Sequence, residues 1–259
     1  MKNMNASRIS VSRIGAVVRK ELADMRRSRL TVATMAVIPL IYVCIPVLLL
    51  LTAGQSATSA QLTQIASGVL TDLMLIPLLI PAIVAASSVV GEREQGTLEP
   101  VLTTPVRREE FLIGKAVAAG IPAICVAYVM MGAVLVVVQA FALPAAASAV
   151  WHAPALPADL VFVPLLAGWA IWAGVAISSK ASDSRVATQL SALGSLPPLA
   201  LIIAVDVKVI SSTLLLVIVL GAVLLVFDVG AYRIVSRLFD TERLVTGTKP
   251  IRAGKSRFS

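Results

Sequence analysis

Residues 70–90 read LTDLMLIPLLIPAIVAASSVV, and residues 91–115, which follow directly, read GEREQGTLEPVLTTPVRREEFLIGK. The first stretch carries one formal charge, Asp72. It is long enough to cross a bilayer, because a helix needs about 20 apolar residues to span ~30 Å of hydrocarbon. The second stretch is charged and rich in turn-forming residues. Together they predict a membrane-spanning helix that ends in a polar connection to the next span.

Further apolar runs of similar length flank this pair. Hydrophobic residues make up 58% of the chain, charged residues 14%, and the mean hydropathy is +0.92, which excludes an ordinary soluble domain. The runs are apolar on every side rather than alternating, so helices are expected and not barrel strands. The predicted fold is an all-α, polytopic membrane bundle of six transmembrane helices preceded by an amphipathic interfacial helix. The predicted spans are residues 30–53, 70–90, 116–140, 160–178, 186–205 and 209–227.

The basic residues predict the orientation of the bundle. Of 22 Lys and Arg, eight precede the first span, four lie in 91–115, two lie between spans four and five, and seven follow span six. The opposite set of loops holds Lys208. The positive-inside rule therefore places both termini on the cytoplasmic side of the membrane. The membrane itself is expected to be a prokaryotic plasma membrane. Because the charges flank spans and form no single stripe, no nucleic-acid partner is expected.

The chain divides into three predicted segments: an interfacial helix over 1–29, a permease domain over 30–235, and a basic tail over 236–259. The predicted outer loops, 54–69, 141–159 and 206–208, leave no room for a folded outer domain. The single His152 and the two cysteines offer no metal site. Within span four, Ala170, Gly174 and Ser178 repeat a small residue at every fourth position, a weak indication of close helix packing.

The segment before the first span has the pattern of an amphipathic helix. Its apolar residues share one arc and its basic residues the other, which favours a helix on the inner membrane surface facing anionic lipid headgroups. Glu21 breaks the pattern, because it projects from the apolar arc. This carboxylate is expected either to reach solvent or to pair with a cation on a neighbouring helix or subunit. The apolar arc consists of Val11, Ile14, Val17, Val18, Leu22 and Met25.

The polar connection 91–115 predicts two helix breaks. Residues 91–95 extend span two, Gly96 loosens the helix, and Thr97 caps a short new helix that Pro100 limits. Thr104 and Pro105 then predict the start of a helix that continues through Lys115 into span three. Such a braced, charged segment is a candidate docking site, although an ordinary solvated loop has the same periodicity.

Residues 91–115 resemble the connection between spans two and three in permeases of the ABC-2 type exporter family. The resemblance is carried by Glu92, Glu94, Gly96, Thr97, Leu98, Glu99, Thr104, Pro105, Arg107, Glu110, Gly114 and Lys115. The Lys20, Glu21, Leu22 run with its later arginines also looks like the amphipathic first helix of that family. Some relatives carry a large outer domain between spans one and two, where this chain has only residues 54–69.

The resemblance implies a specific assembly. Two six-span subunits pair, and each receives a separate nucleotide-binding ATPase subunit, which holds ATP and Mg, so that this chain itself needs no cofactor. The residues implied in coupling are Glu92, Arg93, Glu94, Gly96, Thr97, Leu98, Glu99, Thr104, Pro105, Arg107 and Arg108, with Arg19, Lys20, Glu21 and Leu22 in the interfacial helix. The implied function is export of a substrate driven by ATP hydrolysed on the partner.

The chain is not expected to hydrolyse ATP itself. A phosphate-binding loop requires G-x-x-x-x-G-K-[ST] between a strand and a helix. Gly254, Lys255 and Ser256 match its end, but Lys249 stands where the first glycine belongs.

Two alternatives to the exporter stay open, an ion-coupled secondary transporter and a membrane scaffold or assembly factor. Ion coupling favours carboxylates near mid-membrane, whereas Asp72 and Asp228 are predicted near opposite membrane edges. The predominantly apolar spans favour a lipophilic or amphiphilic substrate.

Overall fold

The computed structural model describes residues 10–53, 57–88, 90–94, 96, 107–153, 155–206 and 214–238. Within these ranges the chain is helical and contains no strand, which confirms the predicted all-α membrane bundle. The helices are α1 Val11–Arg27, α2 Arg29–Ala53, α3 Ser59–Leu73, α4 Leu75–Ser88, α5 Val90–Glu94, α6 Arg108–Phe141, α7 Pro144–Trp151, α8 Ala155–Ser178, α9 Ser184–Gly194, α10 Leu196–Asp206 and α11 Leu214–Leu238.

Among the described residues, six helical segments are long and apolar enough to cross a membrane, as predicted. Two of these segments combine more than one helix: α3, α4 and the start of α5 form one, and α9 with α10 forms the other. The segments are Thr31–Thr52, Ser59–Glu92, Glu109–Phe141, Ala155–Ser178, Ser184–Val205 and Leu215–Ile234.

The second segment begins at Ser59, so the prediction of an outer loop over 54–69 was wrong for most of its length. A capping box starts the helix: Thr58 Oγ1 accepts a hydrogen bond from the Gln61 amide, and Gln61 Oε1 accepts one from the Thr58 amide at 2.8 Å. Leu62 and Ala66 lie in the main core cluster. This stretch was predicted to be a loop because of its polar residues, but it is a helix with one apolar face.

The predicted loop 141–159 is shorter than predicted, because α8 begins at Ala155, and it contains the short helix α7. Ala146 and Val150 of α7 are buried in the main core cluster, and Trp151 Nε1 donates a hydrogen bond to Gln139 Oε1 at 3.0 Å. The fourth segment therefore starts at Ala155 and includes Asp159, which is buried.

The sixth segment extends from Leu215 to Ile234 instead of ending at residue 227. A single carboxylate does not interrupt an apolar helix whose backbone hydrogen bonds are satisfied internally. Asp228 consequently lies within the span and not at its edge. Residues 207–213, which include the predicted start of this span, lie outside the described residues.

The most extensive helix packing joins α4 to α8 through small residues, which confirms the pattern seen in the sequence. A methyl group built on Gly174 would lie 2.7 Å from the Ala85 side chain and 3.2 Å from the Ala86 amide nitrogen. Ala170 is fully buried, and Ser178 Oγ accepts a hydrogen bond from the Val90 amide at 3.1 Å. The backbones of the second and fourth spans thus approach each other with no room for larger side chains.

We expect Gly174→Ala to lower the free energy of unfolding by about 1–3 kcal/mol, because the added methyl group must push α8 away from backbone atoms of α4. Thermal unfolding of the purified protein in detergent measures the effect. Gly132→Ala is the matched control, since nothing lies within 4 Å of a methyl group there. Equal unfolding temperatures for the two variants would contradict close α4–α8 packing.

Candidate functional site

Helix α1 packs against the first turns of α6 through its apolar arc. A methyl group on Gly114 would lie 2.6 Å from Val17 Cγ1 and 3.6 Å from the carbonyl oxygen of Ile14, so glycine is required for this approach. The predicted arc is half-buried except at its end, where Val11 is exposed. The chain leaves α1 through the extended Ser28 and enters the first span at Arg29.

Four charged side chains from three helices meet beside this contact. Lys20 Nζ of α1 lies 2.6 Å from Glu92 Oε1 of α5 and 3.2 Å from Glu21 Oε1. Lys115 Nζ of α6 lies 3.0 Å from Glu21 Oε1 and 3.3 Å from Glu92 Oε1. We call these four residues the interhelical charge cluster. Of the two outcomes expected for Glu21, the structure selects a cationic partner on a neighbouring helix.

The centre of the interhelical charge cluster is shielded from solvent. Glu92 is 7% exposed and Lys115 is 3% exposed, whereas Lys20 extends to the surface. Two carboxylates face two ammonium groups, so their formal charges cancel. Burying such charges is costly unless each is paired, and the removal of one partner leaves the others uncompensated.

The pKa values on α1 reflect this pairing. Burial of Glu21 favours its neutral form, but the positive charges of Lys115 and Lys20 outweigh burial and hold the pKa of Glu21 below its ordinary value. Burial likewise opposes the charged form of Lys20. The hydrogen bond to Glu92 and the negative charges of Glu21 and Glu92 outweigh it, and the pKa of Lys20 is raised.

The second carboxylate of α5 ties this helix to α9. Glu94 Oε1 accepts a hydrogen bond from the Ser184 amide at 2.9 Å, and its other oxygen accepts one from the Ser184 hydroxyl. Asp183 caps the same helix by accepting hydrogen bonds from the amides of Arg185 and Val186, both at 2.9 Å. Helix α5 is therefore fixed on one side to α1 and α6 and on the other to the start of the fifth span.

A third carboxylate, Glu110, fixes the start of α6. It is fully buried and accepts hydrogen bonds from the amides of Arg107 at 2.9 Å and Ser10 at 2.7 Å, while Arg13 of α1 lies 3.2 Å from it. Arg107 is extended, with φ −74° and ψ 151°. The predicted helix start at Thr104 and Pro105 was therefore wrong, because the Glu110 carboxylate caps the helix three residues later.

The structure places the predicted coupling residues unevenly. Gly96 has φ +67°, a conformation that favours glycine, and follows the end of α5, as the predicted break requires. The backbone at Arg93 and Arg108 is helical. On α1, Arg19 is exposed and Leu22 is half-buried. The other predicted coupling residues lie outside the described residues: Thr97, Leu98, Glu99, Thr104 and Pro105. Pro100 does so as well, and the short helix predicted between Thr97 and Pro100 therefore stays a prediction.

Sequence reasoning did not identify Arg13 or Ser184 as partners of this segment. Arg13 lies 97 positions before Glu110, and Ser184 lies 90 positions after Glu94. A pairing over such a separation leaves no periodic signal in one sequence. The only local signal was the carboxylate at Glu110, three residues after the extended Arg107, which is the spacing of a helix-start carboxylate.

We expect Lys115→Ala to lower the free energy of unfolding by about 3–5 kcal/mol, since Glu21 loses its cation on α6 and the buried Glu92 loses one of its two. Thermal unfolding in detergent is the measurement. Asp24→Ala is the control: Asp24 is exposed and lies 3.7 Å from Lys20, so its loss should cost less than about 1 kcal/mol. A Lys115 variant as stable as the control would show that the cluster contributes no net stability.

The pKa of Glu21 predicts that the contact between α1 and α6 loses stability at acid pH. Because the folded pKa lies below the ordinary 4.5, the unfolded chain takes up the proton first. Stability from this group is therefore complete above pH 4.5 and is lost as the pH falls through the folded value. Thermal unfolding of the wild type and of Glu21→Gln should show a smaller loss between neutral and acid pH in the variant. An identical loss in both would exclude Glu21 as a contributor.

The chain matches known proteins over most of its length. The family model described as "ABC-2 family transporter protein" matches residues 15–205. A protein named "Probable ABC transporter permease protein NosY" from Pseudomonas aeruginosa is 36% identical over 114 residues, which is 42% of this chain and 39% of that relative. A protein of the same name from Stutzerimonas stutzeri is 33% identical over 111 residues, 43% of this chain and 40% of that relative.

The matched part thus spans about two fifths of the length of these curated relatives. The family match, in contrast, includes most of α1, most of the spans and the whole interhelical charge cluster. The resemblance indicated by the sequence is confirmed: the chain belongs to the ABC-2 family of transporter proteins, as a membrane permease.

Proposed function

We propose that this chain is the permease subunit of an ATP-driven exporter and that the coupling loop 91–115 receives the movement of a separate nucleotide-binding subunit. Family membership supports the permease role. The partner would hold ATP and Mg and perform the hydrolysis, so the chain acts as a transport pathway and not as an enzyme. Transport outward, the ATPase partner and a second permease subunit, either identical or different, are parts of this proposal.

The main support for the proposal is that side-chain contacts hold α5 in place on both sides. Through Glu92 it is bound to Lys20 of α1 and Lys115 of α6, and through Glu94 to Ser184 of α9. A displacement of the segment after α5 would therefore act together on the second, third and fifth spans and on α1. Glu92 is buried, so we assign it a positioning role within the permease and no direct contact with the ATPase.

The remaining predicted coupling residues would form the contact surface. Gly96 and Glu109 are exposed at the two described ends of the connection, and Thr97, Leu98, Glu99, Thr104 and Pro105 lie between them in sequence. ATP-driven closure of the partner subunits would favour one arrangement of the permease over another through its different contacts with this surface. Because α5 is tied to three other helices, the two arrangements would differ by a concerted shift of several spans.

The same assembly accounts for the remaining surfaces. The segments Thr31–Thr52 and Leu215–Ile234 expose most of their apolar side chains, as expected of surfaces that meet lipid or a second permease subunit. Arg19, Arg26, Arg27 and Arg29 are exposed, which suits contact with anionic lipid headgroups. We assign both termini to the cytoplasm of a prokaryotic plasma membrane, on the strength of the one-sided distribution of basic residues.

The proposed substrate class is lipophilic or amphiphilic. The spans carry few polar side chains, which suits a hydrophobic compound, a drug or a lipid-like molecule better than a highly charged one. Reconstitution of the chain with its ATPase in vesicles, followed by a screen for compounds that stimulate hydrolysis, tests this class. Stimulation by hydrophilic ions alone, with none by any amphiphile, would contradict it.

A second candidate function is ion-coupled transport. The structure places Asp159 and Asp228 inside spans, whereas the sequence predicted carboxylates only near membrane edges. Ionisable groups within spans are typical of ion and proton pathways. Transport that continues without nucleotide and follows an imposed ion gradient would favour this candidate over the exporter.

We expect replacement of both Glu92 and Glu94 by Lys to uncouple ATP hydrolysis from transport. The variant places a third ammonium group beside Lys20 and Lys115 and removes the acceptor for Ser184, so α5 loses its fixation on both sides. Export per ATP hydrolysed should fall by roughly tenfold, within the usual range of coupling between sites. Membrane insertion should be unchanged, because it depends on the apolar spans. Transport and hydrolysis are measured in vesicles that contain the ATPase subunit.

The matched control for this prediction is Asp240→Lys with Glu242→Lys, which makes the same charge change at the same spacing in the basic tail. Glu92→Gln with Glu94→Gln is the milder form, in case the lysine variant does not fold. Coupling that equals the wild type in both acidic-pair variants would reject the proposed docking segment.

A further inference from the structure

Asp228 lies inside the sixth span and packs against the fourth. Its carboxyl group sits over Gly168, close to the midpoint of α8, where a methyl group on the glycine would come within 2.8 Å of the Asp228 carboxyl carbon. Only glycine at position 168 leaves room for this group. The polar head of Asp228 is therefore directed into a helix contact deep in the span and away from either end.

No hydrogen bond or ion pair satisfies this carboxyl group among the described residues. Its Oδ1 atom is buried and without a hydrogen-bond partner. Aromatic contacts between α8 and α11 flank it: Trp169 stacks on Phe227 with ring centroids 3.6 Å apart, and Trp172 lies 5.4 Å from Tyr232. Asp228 as a whole is half-buried, and the side of its carboxyl group that faces α8 meets apolar side chains and a glycine.

The other ionisable groups of the packed helices do not neutralise Asp228. On α11, Tyr232 directs its ring to Trp172, and Arg233 is exposed. On α8, Asp159 lies near the opposite end of the span and bears the same sign of charge when ionised. On α6, Lys115 belongs to the interhelical charge cluster and Glu110 faces Arg13, so both of these groups pair elsewhere.

We infer that Asp228 is an intramembrane proton-binding site and that its neutral acid form holds α11 against α8 at Gly168. An ionised carboxylate in this position would need water or a cation, and burial of an unpaired charge is far more costly than burial of a neutral acid. A proton reaches the buried Oδ1 without displacement of either helix. A larger cation could reach Oδ1 only by separating α11 from α8.

The chemistry is a simple exchange. The carboxylic acid releases its proton to water and becomes a carboxylate, or the carboxylate takes up a proton and becomes neutral. Release of the proton would draw water or a cation into the contact and loosen the aromatic stacking beside it. Proton occupancy of Asp228 would therefore set how firmly the last span is attached to the bundle. This inference does not depend on the exporter assignment.

Infrared difference spectroscopy of the full chain in lipid nanodiscs tests the site. We expect Asp228→Asn, which mimics the neutral acid in shape, to remove a carbonyl band of a protonated carboxylic acid, identified by its shift in D2O. Asp24→Asn, which alters an exposed carboxylate on α1, should leave that band unchanged. Asp159→Asn separates the contribution of Asp159, the buried carboxyl group of α8.

Trp169 gives a second measurement that does not depend on the infrared band. In a chain with Trp151 and Trp172 replaced by Phe, its fluorescence should change as alkaline pH ionises Asp228 and loosens the Trp169–Phe227 stack. The Asp228→Asn form of the same chain should show no such change. An infrared spectrum unaltered by Asp228→Asn, or equal fluorescence responses in the two chains, would overturn the proton-binding site.

Discussion

The structure at the α1 end of the bundle depends on one electrostatic constraint: charges removed from water must be paired. Glu92 and Lys115 are both buried, where an unpaired charge is costly. Lys20 and Glu21 complete the set from α1, so three segments far apart in sequence are joined at one point. The polar connection between the second and third spans is thereby part of the folded bundle at its two described ends.

A second constraint operates inside the membrane region, where no hydrophobic driving force distinguishes lipid from protein. Small residues allow close contact there. Gly174 brings α8 onto α4, and the Ser178 hydroxyl continues the contact to the Val90 amide at the start of α5. The fourth span therefore supports α5 from the membrane side, while the interhelical charge cluster holds it from the other. A charged segment with this support can transmit a displacement that a free loop would absorb.

The amino-acid sequence predicts the features that repeat or that act locally. Four features could be predicted in this way: the six apolar segments, the amphipathic α1, the turn at Gly96 and the small-residue face of span four. The helix over 59–69 was missed because its polar face resembles a loop, and the start of α6 was misplaced because the Glu110 carboxylate outweighs the Thr104–Pro105 signal. The partners of Glu21 and Glu94 are set by tertiary packing and leave no trace in spacing. Asp228 was predicted near a membrane edge because the predicted span ended at residue 227, before this carboxylate.

The pairing of Glu21 with Lys115 has a consequence for biosynthesis. These residues are separated by 94 positions, and the amino-terminal one emerges from the ribosome first. When α1 has been made, its carboxylate has no partner on α6, because two complete membrane segments must still be synthesised and inserted. The nascent helix must therefore remain in a hydrated environment. Its contact surface on α6 becomes available only after the third segment has entered the bilayer. Assembly of this end of the protein is in that sense a late event, although it involves the earliest helix.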